Sequence, residues 1–262
     1  MQRVNILFQY LSYKLFARHK HGHSIHSPLV YNMIKNVLNR YETKPVFNQI
    51  EELRKAYIRN GETISAGNYG AGSKRIRDRP VKIKDLIKTS AVSEKYGKML
   101  HFFALWYQPG FIIELGTSLG ISTAYLASAV PATKISTIEG NAKLAAIACK
   151  NFQNLKLENI EQVTGIFETE LPEILKTVSG KLMVFIDGDH RYERLISYYT
   201  RISQYQSECF MIFDDIRWSE EMHIAWKKII SDNKIRISVD LFFMGIAVTG
   251  INVKKQHFVI KY

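Results

Sequence analysis

The second half of the chain alternates short apolar runs with longer amphipathic runs. The short runs predict strands near residues 111–115, 134–139, 160–164, 181–187 and 208–214. The longer runs between them predict helices near residues 121–130, 141–155, 191–205 and 219–231. Regular alternation of strands and helices is typical of a parallel sheet covered by helices on both faces. The pattern therefore predicts a doubly wound α/β fold.

The two ends of the chain follow other patterns. The runs 235–241, 246–249 and 258–262 have only short connections, which predicts at least one antiparallel pair at the end of the sheet. Residues 1–60 are helical in pattern, with one helix starting at Ser27-Pro28. Residues 61–80 hold four glycines and four basic residues, which predicts a loop. We therefore expect a helical extension over residues 1–98 and one α/β domain over residues 99–262.

The positive charge of the chain is concentrated in its first part. The net charge is +12, and residues 1–100 hold 19 of the 36 Lys and Arg residues but only 7 of the 24 Asp and Glu residues. Such an excess favours an acidic substrate, nucleic acid or a membrane surface, and a solvated basic face without a partner is equally compatible. Four cations of the glycine-rich loop are candidates to close over an anionic substrate: Lys74, Arg75, Arg77 and Arg79.

Cysteine and histidine usage indicates neither a disulfide framework nor a zinc site. Cys149 and Cys209 have no metal or redox spacing, and we interpret both as buried free thiols of a reducing cytosol. The longest uncharged stretch near the N-terminus, residues 4–13, is too short to span a bilayer. Together these features predict a cytoplasmic protein without a membrane span. Four histidines lack the second half of a zinc pattern and read as polar residues at helix boundaries: His19, His21, His23 and His26.

A glycine-rich turn follows the first predicted strand. The segment FIIELGTSLG (111–120) places Gly116 and Gly120 where the backbone can approach a ligand closely. Their G-x-x-x-G spacing differs from the G-x-G-x-x-G that binds a dinucleotide pyrophosphate. Glu139 closes the next strand, where open α/β sheets contact a ribose hydroxyl pair. A ligand with a ribose but no phosphate fits this turn, which indicates S-adenosylmethionine. The similar run 68–73 has no strand before it, so we do not assign it to the cofactor.

Five motifs in this order resemble class I S-adenosylmethionine-dependent methyltransferases. Within that class, residues 97–262 are similar to the cation-dependent O-methyltransferases of the catechol and caffeoyl-CoA type. The motifs are ELGTSLGIS (114–122), IEG (138–140), TGIFE with LPEIL (164–175), FIDGDHRY (185–192) and FDDIRW (213–218). The resemblance implies a seven-stranded sheet whose last strand is reversed.

The resemblance also implies a set of cofactor contacts. Glu114 and the Gly116–Gly120 turn would approach the methionine part, and Ser122 at a helix start would hold its carboxylate. Glu139 would accept from the ribose hydroxyls. Ile166 and Phe167 would flank the adenine. The full set is Glu114, Gly116, Thr117, Ser118, Gly120, Ser122, Glu139, Gly140, Gly165, Ile166, Phe167 and Asp187. In the alternative interpretation the glycines serve only helix-on-strand packing and Glu139 is a plain strand-end acid.

Three carboxylates are predicted to meet at the ends of neighbouring strands. Asp187 ends the fourth strand, and Asp214 with Asp215 ends the fifth. Such a cluster is costly unless a cation or protons neutralise it, and oxygen ligands favour Mg²⁺ or Mn²⁺. The resemblance implies a metal on Asp187 and Asp214, with Asp215 where the family usually has Asn. The alternative is that Asp187 only holds the cofactor and that Asp214 or Asp215 caps the next helix.

His190 stands where the catechol-type enzymes carry a catalytic lysine. Histidine titrates near neutrality, so His190 beside Asp187 is a candidate catalytic base. Alternatively, His190 caps the helix that begins at Arg191 or contacts substrate. Trp218 could form a wall of an aromatic or sugar site or pack on its own helix.

Three functions are compatible with these observations. The first is O-methylation of a hydroxylated small molecule with help from a divalent cation. The excess of basic residues in this chain favours an anionic molecule. The second is RNA or nucleotide methylation using the basic N-terminal region, although the chain lacks an Asn/Asp-Pro-Pro-Tyr motif and a Pro-Cys nucleophile. The third is a non-catalytic cofactor-binding interaction protein. Helices such as those of residues 1–60 often pack across a homodimer.

Overall fold

The N-terminal region is helical, as the sequence predicts. The computed structural model describes residues 2–22, 25–59, 61, 63–65, 80–205 and 207–262. Helices α1 (Gln2–Phe16), α2 (Pro28–Met33) and α3 (Pro45–Arg59) come first, and a π-helical turn (Ile34–Leu38) extends α2. The hydroxyl of Ser27 accepts a hydrogen bond from the Val30 N–H at 3.5 Å. Serine before a proline at the first helical position therefore sets the start of α2.

The segment predicted as one loop is bounded by two short strands. Strand β1 (Thr63–Ser65) pairs antiparallel with β2 (Pro80–Lys82). Three residues are too short a run to give a periodic signal, so the sequence missed this pair. The 68–73 run and the four basic loop residues Lys74, Arg75, Arg77 and Arg79 lie outside the described residues.

Two helices lead from this region into the sheet. They are α4 (Ile83–Thr89) and α5 (Glu94–Tyr107), both within the segment predicted to be helical. The predicted domain boundary at residue 98 therefore lies inside α5. One hydrophobic cluster joins Val30 and Phe47 of the extension to Leu100 of α5 and Ile112 of the sheet. The extension and the sheet share this core.

The doubly wound fold is confirmed, and every strand predicted in the α/β region is present. The strands are β3 (Phe111–Leu115), β4 (Lys134–Glu139), β5 (Ile160–Thr164), β6 (Leu182–Ile186), β7 (Cys209–Phe213), β8 (Ile237–Asp240), β9 (Gly245–Thr249) and β10 (Gln256–Val259). The helices are α6 (Ile121–Ala129), α7 (Ala142–Asn154), α8 (Phe167–Thr177), α9 (Tyr192–Ile202) and α10 (Glu220–Ser231). The sequence analysis did not predict α8, in which Pro172 interrupts the helical pattern.

The sheet has eight strands, one more than the resemblance implies. Their order is β10-β8-β9-β7-β6-β3-β4-β5. Strand β9 is the reversed one and pairs antiparallel with both β7 and β8, whereas β10 pairs parallel with β8. Two reversals restore the original direction, so β8 and β10 point the same way as β3–β7. The chain after β10 therefore reaches the same sheet edge as the carboxyl ends of β3–β7.

Helix α1 is fastened to this C-terminal segment. The Tyr13 hydroxyl donates to the Ile260 carbonyl at 2.5 Å and accepts from the Tyr262 N–H at 2.9 Å. Among the described helices none is long and apolar enough to cross a membrane. Both cysteines are free; Cys209 is buried as predicted, but Cys149 is only half-buried, because it lies at the margin of the buried face of α7.

Candidate functional site

Glu114 lies fully buried at the carboxyl end of β3. Its Oε2 accepts hydrogen bonds from the hydroxyls of Thr137, at 2.6 Å, and Thr123. Burial raises the pKa of the Glu114 carboxyl to about 7, and the threonine hydrogen bonds oppose that rise. The other oxygen, Oε1, is buried and has no hydrogen-bond partner among the described residues. It is an acceptor that a bound ligand could satisfy.

The glycine-rich turn after β3 allows close packing against neighbouring elements as well as close approach of a ligand. Gly116 has φ of 108°, and a Cβ there would lie 2.4 Å from the Asp187 carbonyl oxygen. Gly120 has φ of 78°, and a Cβ there would lie 2.4 Å from the Phe152 ring. Both positions require glycine for backbone conformation and for close approach to a neighbouring element. These two glycines therefore serve packing, as the alternative interpretation expects.

The start of α6 leaves its first N–H groups without a side-chain cap. Gly120 occupies the N-cap position, and Ser122 lies buried in the first turn. Uncapped N–H groups and the helix dipole favour an anion such as a carboxylate. The Thr117 side chain, in contrast, is buried and lies 2.6 Å from the Thr137 hydroxyl. Any contact of Thr117 with a ligand must therefore come from its backbone.

Glu139 at the end of β4 is joined to the turn. Its carboxylate accepts from the Ser118 N–H and the Asn141 N–H, both at 2.8 Å. Burial raises the pKa of Glu139, and the N–H groups of Asn141, Ser118 and Gly140 oppose the rise. Ser118 adopts φ of 50°, a left-handed conformation that directs its N–H to Glu139. The turn and this acid form one hydrogen-bonded unit with free acceptor capacity on the carboxylate.

An apolar wall continues from Glu139. The Gly165 N–H donates to the Glu139 carbonyl at 3.0 Å. Ile166 is 43% exposed in the N-cap position of α8, and the Phe167 ring packs edge-on against Tyr198 at 5.6 Å. An exposed isoleucine beside a half-buried phenylalanine offers a surface for a flat, apolar ring.

Three aspartates lie near one another at the ends of β6 and β7. Burial raises the pKa values of Asp187 and Asp214, and the neighbouring carboxylates raise them further. Burial also raises the pKa of Asp215, whose N–H donates to Asp214 Oδ1 at 2.9 Å. Ser219 caps α10 by accepting from the Met222 N–H at 3.1 Å. The alternative in which Asp214 or Asp215 caps that helix is therefore wrong.

The three predicted metal ligands are Asp187, Asp214 and Asp215. Over the part of the chain that the structure describes, no three His, Cys, Asp or Glu side chains are placed to hold a metal ion. Asp187, Asp214 and Asp215 are near enough to repel one another, and a metal on them stays a prediction of the resemblance. We therefore derive no chemical step through a cation.

His190 lies beside the aspartates, with its Nε2 3.9 Å from Asp215 Oδ2. Burial lowers the pKa of His190, while Asp215 and Asp189 oppose that change, which favours the neutral, proton-accepting form. Helix α9 begins at Tyr192, and His190 does not cap it. The helix-cap alternative for His190 is therefore wrong.

Trp218 lies beside His190 at the exposed edge of the site. Its ring centroid is 6.4 Å from that of His190, and the residue is 62% exposed. Such exposure is unusual for a tryptophan that only packs on its own helix. The arrangement therefore supports the interpretation of Trp218 as a pocket wall.

Two residues near this site escaped the sequence analysis. Asp189 adopts φ of 55°, forms an ion pair with Arg191 and accepts from the Tyr198 hydroxyl at 3.2 Å. Its place in the FIDGDHRY motif could have identified it. Tyr96 of α5 lies near enough to Asp214 for that carboxyl to raise its pKa, although burial is the larger cause. It lies 118 residues before Asp214, and no motif marks it.

Comparison with known proteins agrees with this fold. Residues 113–216 match a family profile described as a methyltransferase domain. A catechol O-methyltransferase from Niastella koreensis is 37% identical over 102 residues, which cover 38% of this chain and 46% of that protein. The match thus spans about half of the relative's length.

Solved structures share the fold over most of the chain. An O-methyltransferase from Bacillus cereus in complex with SAH (S-adenosylhomocysteine) has a TM-score of 0.57 and 17% identity, covering 80% of this chain and 93% of that one. A Podospora anserina methyltransferase bound to SAH has a TM-score of 0.60 and 14% identity, covering 86% and 94%. At identities below 25%, these likenesses show that the chain shares the fold of S-adenosylhomocysteine-bound methyltransferases.

Proposed function

We propose that this protein is an S-adenosylmethionine-dependent O-methyltransferase that acts on a hydroxylated small molecule. The observation that supports this most directly is the placement of Glu114, Glu139 and Asp187 at the ends of β3, β4 and β6. All three lie inside the segment that matches a methyltransferase domain. Open α/β sheets bind ligands at this edge.

The residues present fit S-adenosylmethionine. The buried Glu114 Oε1 provides an unpaired acceptor for an ammonium group, and the uncapped start of α6 at Ser122 suits a carboxylate. Glu139 can accept from ribose hydroxyls, and Ile166 with Phe167 provides an apolar wall for the adenine. The acidic strand ends also favour the positive charge of a sulfonium.

His190 is the side chain best placed to accept the proton of an acceptor hydroxyl. When bound, S-adenosylmethionine supplies an electrophilic methyl group. The neutral imidazole of His190 takes the hydroxyl proton, and Asp215, 3.9 Å away, stabilises the imidazolium that forms. Trp218 limits the open side of the pocket and orients an aromatic or sugar ring.

Calorimetric titration with S-adenosylhomocysteine tests the cofactor assignment. We expect a Kd on the order of micromolar for the wild type and roughly 100-fold weaker binding for Glu139→Ala, because hydrogen bonds from two ribose hydroxyls to a carboxylate are lost. Glu161→Ala on the neighbouring strand β5 is the matched control, since its side chain is 50% exposed. Its binding should stay within roughly twofold of the wild type. Absence of wild-type binding would reject the proposal.

Assistance by Mg²⁺ or Mn²⁺ remains a prediction of the resemblance. A methyl-transfer assay with catechol acceptors, run with and without excess chelator, decides it. Full rate in chelator assigns the reaction to the side chains alone. A rate that chelator abolishes and Mg²⁺ restores assigns a cation to the acidic strand ends, and Asp214→Asn should then lose that response.

A further inference from the structure

A groove of about 470 Å³ lies beside the acidic strand ends and is lined by three segments distant in sequence. We call it the basic groove, after its five cationic side chains. Two come from the N-terminal extension, two from the start of α5 and one from the segment after β10: Lys20, Arg40, Lys95, Lys98 and Lys261. The groove is within the size range of small-molecule sites in proteins.

Much of the positive charge in the basic groove has no acidic partner. Arg40 pairs with Glu42 and Lys98 pairs with Glu94, each at 2.5 Å. No ion pair to a carboxylate is found for Lys20, Lys95 or Lys261 over the described residues. The groove therefore holds amino groups whose charge an anion could neutralise.

Aromatic rings contact two cations of the groove, Lys95, which has no acidic partner among the described residues, and Arg40, which also pairs with Glu42. The Lys95 Nζ lies 3.8 Å from the centroid of the Tyr262 ring, and the Arg40 guanidinium lies 4.6 Å from that of Phe102. These cation–π contacts fix the charges without neutralising them. Burial lowers the pKa of Lys95, and the nearby Lys14 and Lys20 lower it further. An anion in the groove would relieve this repulsion.

Tyr96 lies between the basic groove and the acidic strand ends. Tyr96 directly follows Lys95 on α5, and its ring lies 5.7 Å from that of Tyr262 in the groove. Tyr96 also lies close enough to Asp214 to feel its charge. Its ring is 6.4 Å from that of Phe243, whose carbonyl accepts from the Ile216 N–H near the aspartates. A ligand could therefore contact both regions across the Tyr96 side chain.

We infer that the basic groove binds an anionic group of the methyl acceptor, of the size of a phosphate or diphosphate, while the acceptor hydroxyl reaches His190. This inference rests on the proposed function and specifies its substrate class. Opposite charge on the two sides of Tyr96 orients the acceptor: its anion is attracted to the lysines and repelled by the aspartates. The concave shape, with cations from three segments around one space, favours a compact anion over an extended nucleic-acid backbone.

Titration with inorganic pyrophosphate tests the inference in two matched triple variants. The groove variant neutralises three lysines without acidic partners, and the control variant neutralises three exposed lysines elsewhere. The groove variant carries Lys20→Gln, Lys95→Gln and Lys261→Gln; the control carries Lys150→Gln, Lys227→Gln and Lys254→Gln. We expect pyrophosphate affinity to fall roughly tenfold or more in the groove variant and less than twofold in the control. Lys95→Gln alone serves if the triple groove variant fails to fold.

Titration of S-adenosylhomocysteine into the same proteins separates the two proposals. Its affinity should be equal in the wild type and both variants. Pyrophosphate binding without S-adenosylhomocysteine binding would reject the proposed function but leave the anion site. Normal S-adenosylhomocysteine binding with no pyrophosphate binding, or with equal losses in both triple variants, would overturn the groove assignment. Tight binding of a short single-stranded RNA that depends on these lysines, without saturable pyrophosphate binding, would also overturn it.

Discussion

The two halves of the sheet edge that carries the candidate site differ in how their buried carboxylates are compensated. On the cofactor half, at the ends of β3 and β4, Glu114 and Glu139 accept hydrogen bonds from nearby hydroxyls and backbone N–H groups. On the proposed acceptor half, at the ends of β6 and β7, Asp214 and Asp215 raise the pKa of Asp187, and Asp215 raises that of Asp214. Three lysines of the basic groove, Lys20, Lys95 and Lys261, lie beyond them without acidic partners among the described residues.

This difference indicates which half is mostly paired before a ligand binds. The cofactor half is built from a strand, a turn and the next strand, so most of its donors and acceptors pair within a short stretch of chain, and Glu114 Oε1 and the uncapped start of α6 are left for a ligand. The acceptor half leaves negative and positive charge unpaired on either side of Tyr96. Unpaired buried charge costs stability unless a ligand compensates it, so the acceptor half is organised for binding more than for folding.

The largest expected effect is a loss of methyl-transfer rate without a loss of cofactor affinity. We expect His190→Gln to reduce the methyl-transfer rate by roughly 10²- to 10⁴-fold, because the acceptor hydroxyl loses its base. Calorimetry with S-adenosylhomocysteine on the same variant should give wild-type affinity. A parallel loss of cofactor affinity would contradict the division into two halves, and an unchanged rate would remove the role of His190.

The second prediction concerns the backbone of the cofactor half. Gly116→Ala should lower the free energy of unfolding by roughly 3–4 kcal/mol, because the new Cβ meets the Asp187 carbonyl at 2.4 Å in a left-handed conformation. Gly180→Ala is the control: φ is 77° there, but nothing lies within 4 Å of the added Cβ. Gly180→Ala should lower the free energy of unfolding, measured by urea denaturation, by roughly 1–2 kcal/mol. Equal losses would show that the close approach of β3 to β6 does not matter.

The third prediction is a pH dependence of stability that comes from Glu114. Its folded pKa of about 7 lies above the 4.5 of an unperturbed glutamate carboxyl. The folded state therefore binds the proton more tightly, and stability falls as the pH rises from the lower to the higher value. The expected loss is about 3 kcal/mol. Subtracting the urea-denaturation profile of Glu114→Gln isolates this contribution, and a flat difference profile would contradict it.

The smallest expected effect compares one helix cap from each half. Asn141 accepts from the Lys143 N–H at 2.9 Å at the start of α7, and Ser219 accepts from the Met222 N–H at 3.1 Å at the start of α10. Asn141→Ala and Ser219→Ala should each lower the unfolding free energy by about 1 kcal/mol. Thermal denaturation measures both. A much larger loss for Ser219→Ala would show that the acceptor half depends on α10 for its stability.

The sequence by itself determined the α/β fold and the cofactor half. Apolar runs of strand length and amphipathic runs of helix length are local patterns, and they identified every strand from β3 to β7. Glu114, the glycine turn and Glu139 lie within 26 residues, so their arrangement follows from one strand–turn–helix–strand unit. The sequence analysis missed α8 because Pro172 interrupts its helical pattern. It missed β1 because a three-residue strand gives no periodic signal.

The tertiary structure alone decided the acceptor half and the groove beside it. Lys20, Lys95 and Lys261 belong to three segments that meet because two strand reversals carry the chain end to the edge where α5 begins. The extra strand β10 and the attachment of α1 to Ile260 complete that meeting. Contacts between segments far apart in sequence depend on register and packing across the whole core. No local pattern of hydrophobic and polar residues encodes them.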